Sequence, residues 1–262
     1  DFSAMLSYHE QVRKSSLWER TEVKKLQVAA LDKTSPLYED TDSFDPSVSR
    51  DAVEDTAENL KLAIKLRDKF FPLRDTAYKS LLDRAKIGGS ALPKLSREKL
   101  ADVINSCLAL HKDSALLLIR DEKVSAAHSG DSRDYSVLEI DQLLDGLQSK
   151  MDERFPGNQF SAGYVDHAIT SASWTLPGQR EELLDTYIKL LAAEGKSSMA
   201  AKLMPGIRFS TSDTGMASAK VSALLAGLQY PIHIGGIILS ATNVIISFYT
   251  VDYCFKYLSY LL

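Results

Sequence analysis

The sequence predicts an α+β protein in which an N-terminal helical region is followed by a mixed or antiparallel sheet covered by helices. Two observations support this class. The first third of the chain carries apolar residues at helical spacing, and from residue 114 short apolar runs alternate with helical stretches. The composition, with 45% hydrophobic and 25% charged residues, is that of an ordinary globular chain. We expect a helical region with an acidic loop at residues 1–60 and an α+β domain at residues 61–262.

The N-terminal region is expected to contain two helical stretches separated by a loop. Residues 2–31 have mixed charge, and residues 51–71 carry apolar side chains near helical spacing. The intervening residues 38–51 are rich in Asp, Ser and Pro, which is typical of a loop. This loop lies in the most acidic part of the chain.

The middle of the chain gives the clearest element predictions. Ser96 is a good N-cap, and the apolar stripe after it predicts a helix over residues 96–111. The charged sequence RDEK separates two apolar runs and predicts a hairpin over residues 115–127. Residues 139–155 are expected to form a helix that lies on the sheet containing this hairpin.

Strands and helices are expected to continue to alternate towards the C-terminus. Residues 160–176 predict one or two strands, and residues 180–195 predict a helix ended by a glycine. Trp174 and Phe209 are expected on sheet faces, with Trp174 largely buried. We expect the apolar residues 234–251 to be buried in the fold and not to span a membrane.

Charge and cysteine content limit the function classes. The formal net charge is -4, so the chain has no global basic excess of the kind that marks a dedicated nucleic-acid binder. Cys107 and Cys254 lie far apart, which favours a reducing compartment over a disulfide framework. The first residues lack a basic stretch followed by an apolar one, so we expect a cytoplasmic protein with no membrane partner.

Three polar clusters follow strand-like segments, at residues 128–135, 165–174 and 210–215. If these strand ends converge, one cleft would contain His and Asp side chains, which are ligands of hydrolytic metal sites. None of the clusters has HxH or HExxH spacing, and Asp and Ser after strands are also typical of turns. We therefore assign no metal and no cofactor, and both the turn and the acid-base interpretations stay open. The candidate residues are His128, Asp131, Arg133, Asp134, His167 and Asp213.

A local basic segment, residues 61–94, contains nine Lys or Arg and three Asp. Such a run is often a solvated face, but it is also suited to phosphates, with Phe70, Phe71 or Tyr78 stacking on exposed bases. The paired glycines in AKIGGSALPKL either approach a phosphate backbone or end a helix. The candidate nucleic-acid contacts are Lys79, Arg84, Lys86 and Lys94.

An ordered series of sequence blocks carries a family resemblance. The blocks are RAKIGGSALPKLSREKLADVINSCL, LLLIRDEKVSAAHSGDSRDYSVLEI, DERFPGNQFSAGYVDHAITSASWTLP and KLMPGIRFSTSDTG. In this series the chain resembles the uncharacterised phage- and plasmid-encoded proteins grouped as domain of unknown function 932, over about residues 60–236. The resemblance implies a bacterial or phage cytoplasmic protein encoded on a mobile element, and it supplies no catalytic residues.

Three functions are compatible with the sequence. The leading hypothesis is a mobile-element accessory protein that binds single-stranded DNA or RNA without catalysis. The second is a metal-dependent hydrolase or nuclease that uses the clustered His and Asp. The third is a self-assembling structural protein, which would form homo-oligomers. The sequence favours a protein that is not an enzyme, and it leaves the question open.

Overall fold

The computed structural model describes residues 1–226, 232–234 and 237–239. The helices are Phe2–Ser15 (α1), Pro36–Glu39 (α2), Arg50–Glu58 (α3), Asp75–Ala85 (α4), Arg97–Leu108 (α5), Ile140–Arg154 (α6), Arg180–Ala193 (α7) and Ser197–Ala200 (α8). The strands are Leu17–Glu22 (β1), Gln27–Ala30 (β2), Leu62–Leu66 (β3), Lys69–Pro72 (β4), Ser114–Arg120 (β5), Lys123–Ser129 (β6), Gln159–Val165 (β7), Thr170–Thr175 (β8), Met204–Thr211 (β9), Lys220–Ala226 (β10), Ile232–Ile234 (β11) and Ile237–Leu239 (β12).

The chain divides into two compact units. The N-terminal unit comprises Glu10–Leu138 and Asp213–Met216, and the C-terminal unit comprises Asp1–His9, Glu139–Ser212 and the residues from Ala217 onward. The N-terminal unit contains the antiparallel sheets β1-β5-β6 and β2-β3-β4. The C-terminal unit contains the antiparallel sheet β10-β9-β8-β7 and the pair β11-β12.

Helices α4 and α5 cover the core of the N-terminal unit. Leu100, Ile104 and Leu108 of α5 are fully buried, because they recur on one face of the helix. Ser96 caps this helix as predicted, since its hydroxyl accepts the backbone N–H of Lys99 at 3.4 Å. The apolar stripe read from the sequence is therefore the face that holds α5 to the unit.

Two polar side chains connect helices to strands in this unit. Asn105 of α5 accepts the backbone N–H of Val28 at 2.7 Å and donates to the Val28 carbonyl at 2.8 Å. The Thr76 hydroxyl of α4 donates to the Ser125 carbonyl of β6 at 2.6 Å. These bonds satisfy backbone groups that would otherwise be buried without a partner.

The C-terminal unit packs α6 and α7 with its four-stranded sheet. Trp174 of β8 is completely buried, together with Leu144 and Met151 of α6. The Trp174 indole N–H donates to the Gln148 side-chain carbonyl at 2.6 Å. A buried indole needs such a partner, so the helix position is fixed by polar as well as apolar contacts.

Several sequence predictions are confirmed. The fold class is α+β with an N-terminal helix. The helices expected at residues 96–111 and 139–155 and the hairpin at residues 115–127 are all present, within a few residues of their expected ends. Trp174 and Phe209 lie in the sheet and are buried.

Two helical predictions are wrong. Residues 17–30 form β1 and β2 and not the end of a long helix, and residues 62–72 form the β3–β4 hairpin. Burial on both faces of β3 produces a run of apolar residues, and such a run cannot be told from a helix by periodicity alone. The hairpin turn places Arg67 at a φ of 56°.

The predicted position of α6 is also wrong. This helix packs with β8 and β9 of the C-terminal unit, whereas α4 is the helix that covers β6 of the β5–β6 hairpin. The pairing of β2 with β3 crosses the domain boundary predicted at residue 60.

Among the described residues, no helix combines the length and the apolar character needed to cross a membrane. The apolar stretch predicted to be buried, residues 234–251, lies almost entirely outside the residues that the structure describes.

Replacing Trp174 with Ala is expected to lower the free energy of unfolding by about 3–5 kcal/mol, because the change leaves a cavity in a closed core. Chemical denaturation followed by circular dichroism measures this loss. Leu190→Ala is the control, since Leu190 is an exposed residue of α7 and its truncation should change stability by less than about 0.5 kcal/mol. Equal losses in the two variants would contradict the assigned core.

Candidate nucleic-acid interface

A basic cleft lies in the N-terminal unit beside strand β1, which is at the edge of its sheet. The cleft has a volume of about 900 Å³. Five cationic and two acidic side chains line it, so it is suited to an anionic ligand. Its lining residues are Trp18, Glu19, Arg20, Thr21, Lys24, Lys25, Gln27, Lys65, Leu66, Arg67 and Asp68.

Carboxylates hold three of the cations in place. Glu22 contacts the ammonium groups of both Lys25 and Lys24, and the Lys24 distance is 2.9 Å. These contacts, the one to Lys25 first, lower the pKa of Glu22 to about 2. Arg67 Nε donates to Glu19 Oε1 at 2.8 Å. Even with Glu22 included, cationic side chains outnumber acidic ones around the cleft.

Two cations of the cleft form no ion pair within the described part of the chain. Arg20 is exposed and Lys65 is half-buried, and neither forms an ion pair with any residue in the described part of the chain. The Lys65 ammonium lies 5.9 Å from the centroid of the Phe70 ring. Arg20 and Lys65 are therefore the cleft's strongest candidates for phosphate contact.

Trp18 connects the cleft to an aromatic cluster. Its ring centroid lies 5.9 Å from that of His128 and 6.0 Å from that of Tyr135. His128 and Tyr135 stack on each other at 3.7 Å with an interplanar angle of 7°. Trp18 is half-buried and lines the cleft, and its ring is flanked by these two rings.

His128 anchors a turn that comes from a distant part of the sequence. Its Nε2 lies 2.7 Å from the carbonyl oxygen of Asp213, and because a carbonyl only accepts, Nε2 carries the proton. Burial lowers the pKa of His128, and this effect is larger than the rise in pKa that the contact with Asp213 causes. Gly215 has a φ of +78°, and a Cβ there would lie 3.0 Å from His128 Cε1. The close approach of the turn therefore requires glycine.

The Asp213 side chain is also engaged within this unit. Its carboxylate contacts the guanidinium of Arg120, and both side chains are less than 15% exposed. Arg120 Nε also donates to the Ser16 hydroxyl at 2.9 Å. Asp213 thus neutralises a partly buried arginine.

The polar loop after β6 forms bonds mainly within itself. Asp131 accepts from the Arg133 guanidinium at 2.9 Å and from its backbone N–H at 3.0 Å. The Arg133 side chain is the main cause of the lowered pKa of Asp131. The Ser129 hydroxyl donates to Asp134 at 3.1 Å. This geometry matches the turn interpretation, and the turn leads into Tyr135, which stacks on His128.

The cationic residues predicted as nucleic-acid contacts lie outside the cleft lining. Lys79 and Arg84 are on α4, Lys86 ends that helix with a left-handed φ of 55°, and Lys94 follows in a short 3₁₀ turn. The three lysines are exposed, whereas Arg84 is half-buried. The basic segment instead contributes its β3–β4 residues to the cleft.

The aromatic residues expected to stack on bases are also absent from the cleft lining. Phe71 is buried in the core, and the Phe70 ring lies 6.4 Å from that of Phe44. Tyr78 is half-buried, and burial raises its pKa. These rings serve mainly the packing of the N-terminal unit.

The predicted His and Asp candidates are divided between the two units. His167 is exposed in the turn between β7 and β8 of the C-terminal unit, whereas His128 and Asp213 belong to the N-terminal unit. Within residues 1–226 and the two short strands after them, no group of three His, Cys, Asp or Glu is arranged to hold a metal ion.

A smaller cavity of about 240 Å³ lies in the C-terminal unit. It is lined mainly by apolar residues of α7, β9 and β10, and its charged residues, Arg154 and Glu182, have opposite signs. No contact within the described chain indicates which ligand it would take. The basic cleft is the preferred candidate site, because its excess of cationic side chains indicates an anionic ligand.

Sequence reasoning missed Trp18, Arg20, Lys24 and Lys25. Residues 2–31 were expected to be helical, because β1 and the turn after it lack the alternation of apolar and polar residues that marks a strand. Only the pairing of β1 with β5 brings these residues to the cleft.

Comparison of the chain with protein-family models, with curated proteins and with solved structures found no match. Membership of the family grouped as domain of unknown function 932 stays a prediction.

We expect the stability of the protein to fall at mildly acidic pH through His128. The folded state lowers the pKa of His128, so the unfolded chain binds the proton more readily once the pH drops below the ordinary histidine value of about 6.5. The contribution is fully present above that pH and is lost as the pH falls towards the folded pKa. Denaturation of wild type and His128→Gln between about pH 8 and 5 measures it. Parallel pH profiles would contradict the assignment.

Removing the Asp213 carboxylate is expected to cost about 3 kcal/mol of unfolding free energy, because the change leaves the Arg120 charge partly buried without its partner. Thermal or chemical denaturation of Asp213→Ala measures this effect. Asp102→Ala provides a matched control, since Asp102 is exposed on α5 of the same unit and its loss should change stability by less than about 0.5 kcal/mol.

Proposed function

We propose that this protein binds nucleic acid through the basic cleft beside β1 and does not cut it. The observation that supports the proposal is the cluster of five cationic side chains in one cleft of a chain whose formal net charge is -4. A local excess of cations produces a positive potential that favours anionic ligands, even on a chain with a negative net charge.

The arrangement of the cations favours an extended polyanion. They come from β1, from the turn that follows it and from the β3–β4 hairpin, so they line the cleft from several elements. Lysine and arginine on such a surface neutralise successive phosphates and release condensed counterions. Arg20 and Lys65 form no ion pair among the described residues. They would therefore contact phosphates without the free-energy cost of first breaking an ion pair.

The biological setting of the proposal depends on the family resemblance. A cytoplasmic accessory protein of a phage, prophage or plasmid would meet DNA or RNA of its own element. Self-assembly and metal-dependent hydrolysis remain alternative hypotheses, and the described geometry favours neither.

The wild-type protein is expected to bind an oligonucleotide with an affinity that falls by orders of magnitude between about 50 and 200 mM salt. Fluorescence anisotropy with labelled DNA and RNA oligomers measures this dependence. Polyglutamate serves as a competitor, because an acidic peptide is the other polyanion that such a cleft would accept. If polyglutamate competes as well as unlabelled DNA and RNA, the nucleic-acid proposal is wrong. Cleavage of the oligomer after addition of Mg²⁺ or Mn²⁺ would contradict the absence of catalysis.

The double variant Arg20→Ala/Lys65→Ala is expected to bind more weakly and with a shallower salt dependence. Each lost phosphate contact should reduce the slope of log affinity against log salt by about 0.7, so two should reduce it by about 1.4.

Lys79→Ala/Lys86→Ala is the matched control, because it removes two exposed lysines of the same unit that do not line the cleft. Its slope should equal that of the wild type. If the salt dependence of binding becomes shallower in the control and stays unchanged in the cleft variant, nucleic acid binds at α4 and the cleft assignment is wrong.

A further inference from the structure

We propose that Trp18 makes the cleft selective for single-stranded nucleic acid by stacking on an unpaired base. This inference rests on the proposed function. It adds that the bound nucleic acid is single-stranded and that Trp18 is the residue that stacks on its bases. Trp18 lies in the cleft lining together with Arg20 and Lys65, the two cations that have no carboxylate partner among the described residues.

The Trp18 ring is supported from within the N-terminal unit. His128 and Tyr135 stack on each other, and both lie within about 6 Å of Trp18. His128 is buried on β6 and bonds to the Asp213 carbonyl, so this support is part of the folded unit. An aromatic ring that is already held in place loses little conformational freedom when a base stacks on it.

The register of the sheet aims Trp18 and Arg20 in one direction. Arg20 pairs with Leu116, which pairs with His128, so these three residues form one row across the sheet. Trp18 lies two residues from Arg20 on β1 and therefore shares its face. One side of β1 thus presents a cation for the phosphate and a ring for the base.

This combination distinguishes single strands from duplexes. Base faces in a duplex are covered by their neighbours, whereas bases of a single strand are free to stack on an aromatic side chain. The stacking is tolerant of sequence, because every base has a flat face. The cleft should therefore prefer single strands of DNA and RNA with little discrimination between bases.

The two tryptophans make the inference directly measurable. Trp174 is completely buried in the C-terminal unit, whereas Trp18 is half-buried and is one of the residues that line the cleft. Quenching of tryptophan emission by a bound oligonucleotide should come from Trp18. It should be absent from Trp18→Phe, whose remaining tryptophan is shielded and also reports folding.

The test compares three ligands of equal length: a single-stranded DNA oligomer, an abasic oligomer with the same phosphates, and a duplex. Wild type should bind the single strand more tightly than the abasic oligomer by about five- to 150-fold, the range for stacking of one base on an aromatic side chain. Trp18→Leu should lose this difference and keep its affinity for the abasic oligomer. Trp18→Phe should retain most of it. A parallel titration with RNA separates the two kinds of single strand.

Each outcome separates this inference from the proposed function. If wild type binds neither the abasic nor the base-bearing oligomer, the proposed function fails. If it binds both equally, or if Trp18→Leu weakens both equally, the cleft binds phosphates and the stacking role of Trp18 is wrong. If Trp18→Leu does not fold, the quenching of tryptophan emission in the wild-type protein is the deciding measurement. Equal quenching by the duplex and by the single strand would overturn the inference.

Discussion

The pairing of β1 with β5 is the interaction on which the candidate site depends. Six residues of β1 join the β5–β6 hairpin as its outer strand. This register carries Trp18 and Arg20 to the same face as His128, and it carries Glu19 to the opposite face, in a row with Leu117 and Ala127 of the core. A shift of one residue would exchange the two sets, because successive side chains of a strand point to opposite faces. The cleft therefore exists as a consequence of strand register.

The His128 cluster shows how the fold uses polar residues that resemble a catalytic set. His128, Asp213 and Arg120 satisfy one another through a carbonyl contact and an ion pair. An isolated buried charge or donor is costly, so each group needs a partner, and the Asp213–Met216 turn supplies it. The same contacts place the His128 ring behind Trp18. The polar cluster thus supports the cleft.

Carboxylates beside the cleft form ion pairs with three of its cations. Glu22 holds Lys24 and Lys25 in ion pairs at the surface, whereas Glu19, which pairs with Arg67, is only 14% exposed. Exposed pairs of this kind contribute little to stability, because solvent screens them and ordering long side chains costs entropy. A phosphate chain could therefore replace Glu22 as the partner of these two lysines with little loss of folding free energy. In the proposed complex, Arg20, Lys65 and the two lysines contact phosphates.

The sequence by itself determined the α+β class, the helix α5 with its Ser96 cap, the β5–β6 hairpin and the burial of Trp174. These features depend on local patterns, namely an apolar stripe, a capping hydroxyl and a charged turn between two apolar runs. Only the tertiary structure decided which residues form the candidate site. Arg20 and Lys65 lie 45 positions apart in the chain and reach one cleft through the sheets. Trp18 acquires its place from strand pairing, and an edge strand beside a polar cleft lacks the alternation that would reveal it. The pairing of distant segments is a property of the packed chain, so no local pattern encodes it.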